Sequence, residues 1–281
     1  GASGSPTWVG EIRLVEPNRL GVLLEETTPE EAAQQVADAL RQRLAELDLE
    51  SERASGQTVG ALPRYPGVKD KSIWVVAETT SKGVAHVTLE MLGKARELTQ
   101  QTKSEVVAVL IAPPSDETIE VLASHGADRV LVLDNSKLGP VCGLAVSNSF
   151  ANAVGNEIPY AVLFASTADG GDLASRLAAR LGLGLTGDAI DLEIDLEGRL
   201  VQLKPALGGN VVAPILSKTL PNLVTLRPGL LSAVADEPGA TATVEQLPTA
   251  PFDGSDIRLL KEEFQEDQEG IILANASVVI G

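Results

Sequence analysis

The sequence predicts an α/β protein, in which a mostly parallel sheet is covered by helices on both faces. Apolar runs alternate with amphipathic stretches between residues 68 and 231, the order expected of repeated strand–helix units. Apolar residues make up 44% of the chain and aromatic residues only 3%. The core must therefore consist of Ala, Val, Leu and Ile, the usual filling between such layers.

A small α+β extension and a linker are predicted for residues 1–67, ahead of the main sheet. Weak alternation and turn-like residues indicate two short strands, and an apolar stripe after a Pro and two Glu residues indicates a helix. Gly, Pro and charged residues then predict a linker. The expected elements are strands at 8–15 and 20–24, a helix capped by Thr27 or Thr28, and a linker at 51–67.

The second predicted domain, residues 68–231, carries the repeated units. Right-handed crossovers are the default for such units, so the expected architecture is a Rossmann-like sheet. After residue 188 the helices stop, and short strands predict a small antiparallel or mixed edge. The expected elements are strands at 72–77, 105–112, 129–133 and 160–165, helices at 84–98, 116–125, 141–154 and after 172, and short strands at 189–194, 200–203, 211–216 and 223–226.

Ser166 and Thr167 follow the apolar strand at 160–165, at the carboxyl end where open α/β sheets bind ligands. Gly170 and Gly171 are expected to turn the backbone there. Asp172 is expected to supply the N-cap oxygen of the next helix, whose apolar residues fall at helical spacing. This turn is the first candidate for a functional site.

Charge and cysteine content exclude several classes of function. The formal net charge is -17, which argues against a nucleic-acid footprint or a polybasic membrane patch. Cys142 is the only cysteine, so the chain has no intramolecular disulfide framework and no cysteine-based metal cluster. A reducing, cytoplasmic compartment is the default expectation, and no apolar run reaches the length of a membrane span.

Three local patterns invite a functional interpretation. Residues 182–187, GLGLTG, match a dinucleotide fingerprint formally, but a helix precedes them, which favours a helix C-cap and turn. Asp191, Glu193 and Asp195 alternate along one strand face, which indicates a solvated edge more than a cation site. Arg227 stands at a strand end beside Pro-Gly, where either a structural ion pair or the binding of an anion or partner is plausible.

The last predicted segment, residues 232–281, begins as an acidic linker. Residues 232–270 hold ten carboxylates and two basic side chains, with a short helix expected at 257–264. Residues 271–280 then form a strong apolar strand just before the chain ends at Gly281. A strand without a successor is expected to open a further domain that is cut short.

Four stretches together resemble the first domain of the alpha subunit of electron-transfer flavoproteins. They are Thr167–Gly182, Leu185–Asp188, Lys204–Asn210 and Val224–Gly229, and the resemblance covers about residues 72–231. It implies a heterodimer with a beta subunit, FAD in a second alpha domain, and AMP in the beta subunit. Electrons would pass between acyl-CoA-type dehydrogenases and a quinone reductase or similar acceptor, and some members bifurcate electrons.

The resemblance implies an electron-carrier scaffold, so no catalytic or metal-binding residue is expected. Its subunit or domain contacts are expected at Thr167, Asp172, Arg176, Asp188 and Arg227. Residues 276–281 resemble the start of the flavin domain's first strand, so this chain alone is not expected to retain FAD.

The alternative is a stand-alone adenine-nucleotide-binding enzyme of the related hydrolase type. The expected sheet order and the strand-end hydroxyls of Ser166 and Thr167 favour it. The lack of a Gly-rich phosphate loop after Glu78, where the first strand of the sheet ends, speaks against it.

Overall fold

The computed structural model describes residues 4–10, 13–14, 27–56, 62–81, 83–136, 138, 143–206, 211–233, 236–250 and 261. Its helices are α1 (Pro29–Gly56), α2 (His86–Thr102), α3 (Asp116–Ser124), α4 (Leu144–Glu157) and α5 (Ala168–Leu181). Its strands are β1 (Thr7–Val9), β2 (Arg13–Leu14), β3 (Ile73–Ala77), β4 (Thr79–Thr80), β5 (Gly83–Val84), β6 (Val106–Leu110), β7 (Arg129–Val132), β8 (Ala161–Ala165), β9 (Leu185–Ala189), β10 (Asp191–Ile194), β11 (Leu200–Ala206), β12 (Val211–Ser217), β13 (Asn222–Leu226) and β14 (Thr243–Gln246).

The main sheet has seven strands in the order β14-β7-β6-β3-β8-β13-β9, and every pairing in it is parallel. Strands β3, β6 and β8 are buried along their whole length, which explains their unbroken apolar sequences. Helices α2 and α3 pack on one face, and α4 and α5 on the other. The predicted Rossmann-like α/β fold is thereby confirmed.

A second sheet, antiparallel throughout, is formed by β1, β12, β11 and β10, with β2 also paired to β12. The N-terminal strand β1 adds to its edge, with Thr7 opposite Ser217. Gly184 permits this close approach, because a Cβ there would lie 2.8 Å from the Thr7 Cγ2 atom. Residues of the predicted N-terminal extension thus complete a sheet of the second predicted domain, and the boundary at residue 67 stays a prediction.

The first helix is longer than its sequence suggested. Thr28 caps it: the Glu31 N–H donates to Thr28 Oγ1 at 3.3 Å, while the Thr28 N–H donates to Glu31 Oε2 at 3.0 Å. The helix continues to Gly56, into the segment that the composition assigns to a linker. Residues 51–55, Ser-Glu-Arg-Ala-Ser, contain no Gly or Pro, so nothing in them ends a helix once it has formed.

Two further strands depart from the expected pattern. Strand β14 lies in the predicted acidic linker, and β13, expected near an antiparallel edge, is a parallel strand between β8 and β9. The predicted strand at 20–24, the helix at 257–264, the strand at 271–280 and Cys142 lie outside the described residues. Among the described helices, none is both long enough and apolar enough to cross a membrane.

The Arg129 side chain, on β7, bonds to three carboxylates at the amino-terminal edge of the main sheet. Its side chain is 3% exposed, and its guanidinium donates to Glu105 at 3.0 Å, to Glu157 at 2.6 Å and to Glu245 at 3.3 Å. Burial alone would lower the pKa of Arg129, but the Glu157 hydrogen bond and the three carboxylates outweigh it and raise that pKa. Glu105 is itself buried, so this guanidinium is the cation that compensates its carboxylate in the core.

We expect Arg129→Met to lower the free energy of unfolding by about 3–5 kcal/mol, because the buried Glu105 carboxylate loses its cation. Urea denaturation measures the loss, with Arg180→Met, an exposed arginine on α5, as the matched control. A loss below about 1 kcal/mol, the range of an exposed pair, would show that the network is not an essential part of the core.

Candidate functional site

The strand order of the main sheet reverses between β3 and β8. The chain passes from β3 outward to β6 and β7, and then returns to place β8 on the other side of β3. In open α/β sheets, ligands bind in the crevice at the carboxyl ends of two such strands. The residues that follow these strand ends, Glu78 after β3 and Ser166 and Thr167 after β8, are therefore the first candidates for a functional site.

Thr167, and not Asp172, caps helix α5. The Thr167 backbone is extended, its Oγ1 atom accepts a hydrogen bond from the Gly170 N–H at 3.0 Å, and the helix begins at Ala168. The expected cap at Asp172 is wrong. Its carboxylate instead accepts from the Arg176 Nε atom, one turn further along, at 2.7 Å.

Gly170 explains why the helix begins so close to the sheet. A Cβ atom on this residue would lie 2.3 Å from the Ala165 carbonyl oxygen and 3.0 Å from Glu78 Oε1. No side chain fits in that space, so the first turn of α5 presses directly against the end of β8. The expected role of this glycine as a flexible turn residue is replaced by one of close approach.

Glu78 occupies the crevice between the two strand ends. Its carboxylate accepts a short hydrogen bond from the Thr167 hydroxyl, and its own backbone N–H donates to Thr88 Oγ1 on α2 at 2.9 Å. The remaining cleft measures about 130 Å³. Its lining combines apolar residues of the strands and α5 with two acidic side chains: Val76, Ala77, Glu78, Thr79, Ile111, Asp169, Gly170 and Leu173.

The space left in this crevice is smaller than a pocket that encloses FAD or AMP. Pockets for ligands of that size measure roughly 300–1,000 Å³, well above the space left here. A nucleotide phosphate also requires amide or cationic donors, whereas Glu78 and Asp169 bring carboxylates to the start of α5. Sequence reasoning noted Glu78 only as a strand end, since nothing local reveals that its side chain turns back to Thr167.

Asp188 and Arg227 form a second cluster at the carboxyl ends of β9 and β13. The Arg227 Nε atom donates to Asp188 Oδ1 at 3.1 Å, and its Nη2 atom donates to the other carboxylate oxygen. Asp188 adopts a left-handed backbone with φ of 61°, held by a 2.8 Å hydrogen bond from its N–H to Thr225 Oγ1. The guanidinium is thus paired, and the pair is about half exposed, at 46% for Arg227 and 45% for Asp188.

The hydrogen bond from Arg227 lowers the pKa of the Asp188 carboxyl, and it prevails over the opposing effect of burial. Glu90, a buried residue of α2, accepts from the Gly229 N–H at 2.9 Å and so fixes the Pro-Gly turn that follows Arg227. Sequence reasoning missed Glu90, because its partner is 139 residues away along the chain.

Each of the five expected contact residues has a hydrogen-bond or ion-pair partner in the structure. Thr167 meets Glu78, Asp188 meets Arg227, and Ser166 links these two groups through a 2.8 Å contact with Thr225. Asp172 and Arg176 pair with each other one turn apart on α5. A role in subunit contact stays a prediction for all five.

The other sequence patterns have structural explanations. Gly182 is the left-handed C-cap of α5, as expected, although β9 already begins at Leu185 within the GLGLTG stretch. Strand β10 lies at the edge of the second sheet, where Asp195 pairs with the half-exposed Arg199, whereas Asp191 pairs with Lys94, a buried residue of α2. No cluster of three or more potential metal ligands is found in the described part of the chain.

Replacing Gly170 by alanine should destabilise the protein, because the added methyl overlaps the Ala165 carbonyl. We expect a loss of about 1–3 kcal/mol, typical of overpacking. Gly171→Ala is the matched control, since its Cβ would meet nothing within 4 Å, and it should stabilise α5 slightly. Equal effects of the two substitutions in urea denaturation would contradict the close approach.

Replacing Arg227 by methionine should raise the pKa of Asp188 toward its ordinary value, as followed by carboxyl NMR titration. Because the folded-state pKa is the lower one, the pair stabilises the fold above the unfolded pKa and loses this effect as the pH falls through the folded pKa. The Asp188–Arg227 pair should contribute less than about 1 kcal/mol to the free energy of unfolding, because both side chains are about half exposed. Arg199→Met should leave the Asp188 titration unchanged, and an unchanged titration in Arg227→Met would refute the assigned cause.

Comparison with known proteins gives a consistent result. The family model described as "Electron transfer flavoprotein domain" matches residues 73–251, more than half of the chain. The chain is 38% identical over 162 residues to an electron transfer flavoprotein subunit alpha of Clostridium acetobutylicum, covering 57% of this chain and 48% of that protein. It is 32% identical over 212 residues to the subunit alpha of Thermoanaerobacterium thermosaccharolyticum, covering 75% and 64%.

A third relative is the lactate dehydrogenase (NAD(+),ferredoxin) subunit LctC of Acetobacterium woodii, 30% identical over 218 residues, covering 75% of this chain and 51% of that protein. The chain thus spans about half to just under two thirds of the length of these relatives. The matched residues include both strand ends of the crevice and the Asp188–Arg227 pair. On this match, the chain belongs to the electron transfer flavoprotein family, as an alpha-type member.

Proposed function

We propose that this chain works as the alpha subunit of a heterodimeric electron transfer flavoprotein, in which residues 73–251 supply the scaffold and subunit-contact domain. The subunit would take part in passing electrons between flavin dehydrogenases and a quinone reductase or similar acceptor. One observation carries the scaffold role: the Glu78 side chain occupies the crevice in which this fold class binds its ligands.

The small size and acidic lining of the same crevice also suggest that the cofactors bind elsewhere in the assembled protein. A flavin would be held by parts of the assembled protein other than this crevice, and AMP by the partner beta subunit. The chain would then act as an electron-carrier subunit without substrate turnover of its own. The LctC relative is named as a subunit of a lactate dehydrogenase (NAD(+),ferredoxin), which is in keeping with a role for this chain as one subunit of a redox assembly. A cytoplasmic location is proposed with it, on the low cysteine content.

The beta subunit is proposed to meet the carboxyl edge of the main sheet. Arg227 and Asp188 are about half exposed there, and Asp172 and Arg176 are partly exposed on the adjoining helix α5. Thr167 would act indirectly, by fixing the start of that helix. Arginine is common among the residues that dominate protein interfaces, because its planar guanidinium makes several directed hydrogen bonds.

The second candidate is a stand-alone adenine-nucleotide-binding enzyme. In its favour, the β3–β8 crevice exists at the expected place, and Thr167 brings a hydroxyl to it. The carboxylates of Glu78 and Asp169 would repel a phosphate at that point, which makes this function the weaker proposal.

Co-expression with a beta-type subunit tests the proposal. We expect a stable complex, with flavin absorbance in the purified assembly. Arg227→Ala should weaken subunit association about tenfold, the loss expected for an arginine at an interface. Arg199→Ala is the matched control, because Arg199 is 45% exposed and is also paired with an aspartate, but it lies at the β10–β11 turn.

Titration calorimetry of the chain alone with ATP and AMP separates the two candidates. We expect no binding in the micromolar range. Micromolar affinity for either nucleotide, together with no association with the beta subunit, would overturn the scaffold proposal in favour of the enzyme.

A further inference from the structure

The edge strand β14 differs from the rest of the main sheet in how little of it is buried. Among the described strands of this sheet, β14 is the only one without a buried residue, whereas its neighbour β7 is buried along its whole length. The segment around it, residues 236–250, likewise contains no buried residue. Its partly buried Ala242 and Leu247 pack against the two core clusters. Burial of apolar area therefore contributes little to holding this segment in place.

The composition of residues 236–250 is that of a linker. They carry three carboxylates, two prolines and a glycine, and no basic side chain. Such a composition gives a segment little tendency to fold alone. Backbone hydrogen bonds attach it to the loop before β7 and to β7 itself: the Glu237 N–H donates to the Ser124 carbonyl and the Thr243 N–H to the Asp128 carbonyl, each at 3.0 Å.

Two ion pairs add to these backbone bonds. The Arg64 Nε atom donates to Glu237 Oε2 at 3.0 Å, and the Arg64 Nη2 atom lies 2.8 Å from the same oxygen. Arg129 donates to Glu245, within β14, at 3.3 Å. Lys69 lies farther from Glu245, at 3.9 Å, and is 54% exposed, so its contribution is small. The segment thus supplies the two carboxylates, and the body of the domain supplies the two arginines.

Both arginines are fixed by bonds that do not involve the segment. The Arg64 guanidinium also donates to the Ala127 carbonyl at 3.1 Å and to the Ala123 carbonyl at 2.9 Å, and its side chain is only 20% exposed. Arg129 is 3% exposed and is held by its two other carboxylates. The two cations are therefore in place on the body whether or not the segment is bound.

We propose that residues 236–250 form a detachable edge strand, held on β7 by an ionic clasp of Arg64 with Glu237 and of Arg129 with Glu245. The segment leaves as a unit while β7 and the rest of the sheet stay folded, because a strand with few buried contacts opens with far less free energy than the whole domain needs to unfold. When docked, the segment fixes where residue 250 lies. When released, its 15 residues become a tether that spans up to about 50 Å.

Amide hydrogen exchange of the full chain, followed by NMR, compares the two sides of β7. The Leu247 N–H donates to the Val132 carbonyl at 2.8 Å on the β14 side, and the Leu133 N–H donates to the Leu110 carbonyl at 2.9 Å on the β6 side. Under conditions in which exchange reports the opening equilibrium, we expect the Thr243 and Leu247 amides to exchange at least about 100-fold faster than the Leu133 amide. Sodium chloride at about 0.5 M should speed the exchange of the first two amides only, by about threefold.

Glu237→Gln combined with Glu245→Gln removes both carboxylates of the clasp and nearly keeps the side-chain shapes. We expect the Thr243 and Leu247 amides to exchange at least about tenfold faster than in the wild type, because hydrogen bonds to charged groups are the stronger ones, and to lose their dependence on salt. The Leu133 amide should be unaffected. Asp236→Asn is the matched control: it removes an exposed carboxylate of the same segment that has no ion pair in the described part of the chain, so all three rates should stay unchanged.

Exchange of the Leu247 amide as slow as that of Leu133 would overturn the proposal, because the segment would then belong to the cooperative core. Equal acceleration of Leu133 in the double variant would overturn it for the same reason. Rates for Thr243 and Leu247 that neither salt nor the double variant changes would also contradict it, since the attachment would then depend on the backbone hydrogen bonds and apolar contacts alone.

Discussion

The hydrogen bond between the Thr167 hydroxyl and the Glu78 carboxylate joins the two strands at which the sheet order reverses. The same threonine caps α5, so one side chain fixes both the strand end and the helix start. Gly170 keeps the two close enough for this contact, since any Cβ would collide with the Ala165 carbonyl. A crevice that the fold would otherwise leave open to a ligand is thereby occupied by the protein's own carboxylate.

In the rest of the domain, apolar residues fill a buried centre, while ion pairs and strained backbone conformations lie at its two edges. Parallel strands between two helical layers bury the apolar residues, and Arg129 gathers the buried and half-buried carboxylates near one edge into a network. Residues in left-handed backbone conformations lie outside this centre, with Asp188 at the carboxyl edge and Ile158 at the amino edge. Strain is thus placed where the surrounding core is rigid enough to hold it and where side chains face solvent.

Much of this fold could be predicted from the sequence, because fully buried strands such as β3 and β8 are unbroken apolar runs. The helix C-cap at Gly182 could be predicted as well, because it depends only on residues next to it in the sequence. Strand β14, Thr-Val-Glu-Gln, could not be recognised, since its place at the sheet edge comes from pairing with β7 and not from apolar content. The start of α5 was misplaced for a related reason: both Thr167 and Asp172 can cap a helix, and only contact with the strand end selects Thr167.

The candidate site was less predictable than the fold, because Glu78 and Glu90 act on residues about 90 and 140 positions away. The central claim, that Glu78 closes the crevice, is tested most directly by following the backbone amides of Thr167 and Gly170 in an NMR titration with AMP. We predict that these amides of the wild-type protein do not shift at millimolar AMP. A saturable shift of both amides in the wild-type protein would contradict the account, because it would place a nucleotide in the crevice assigned to Glu78.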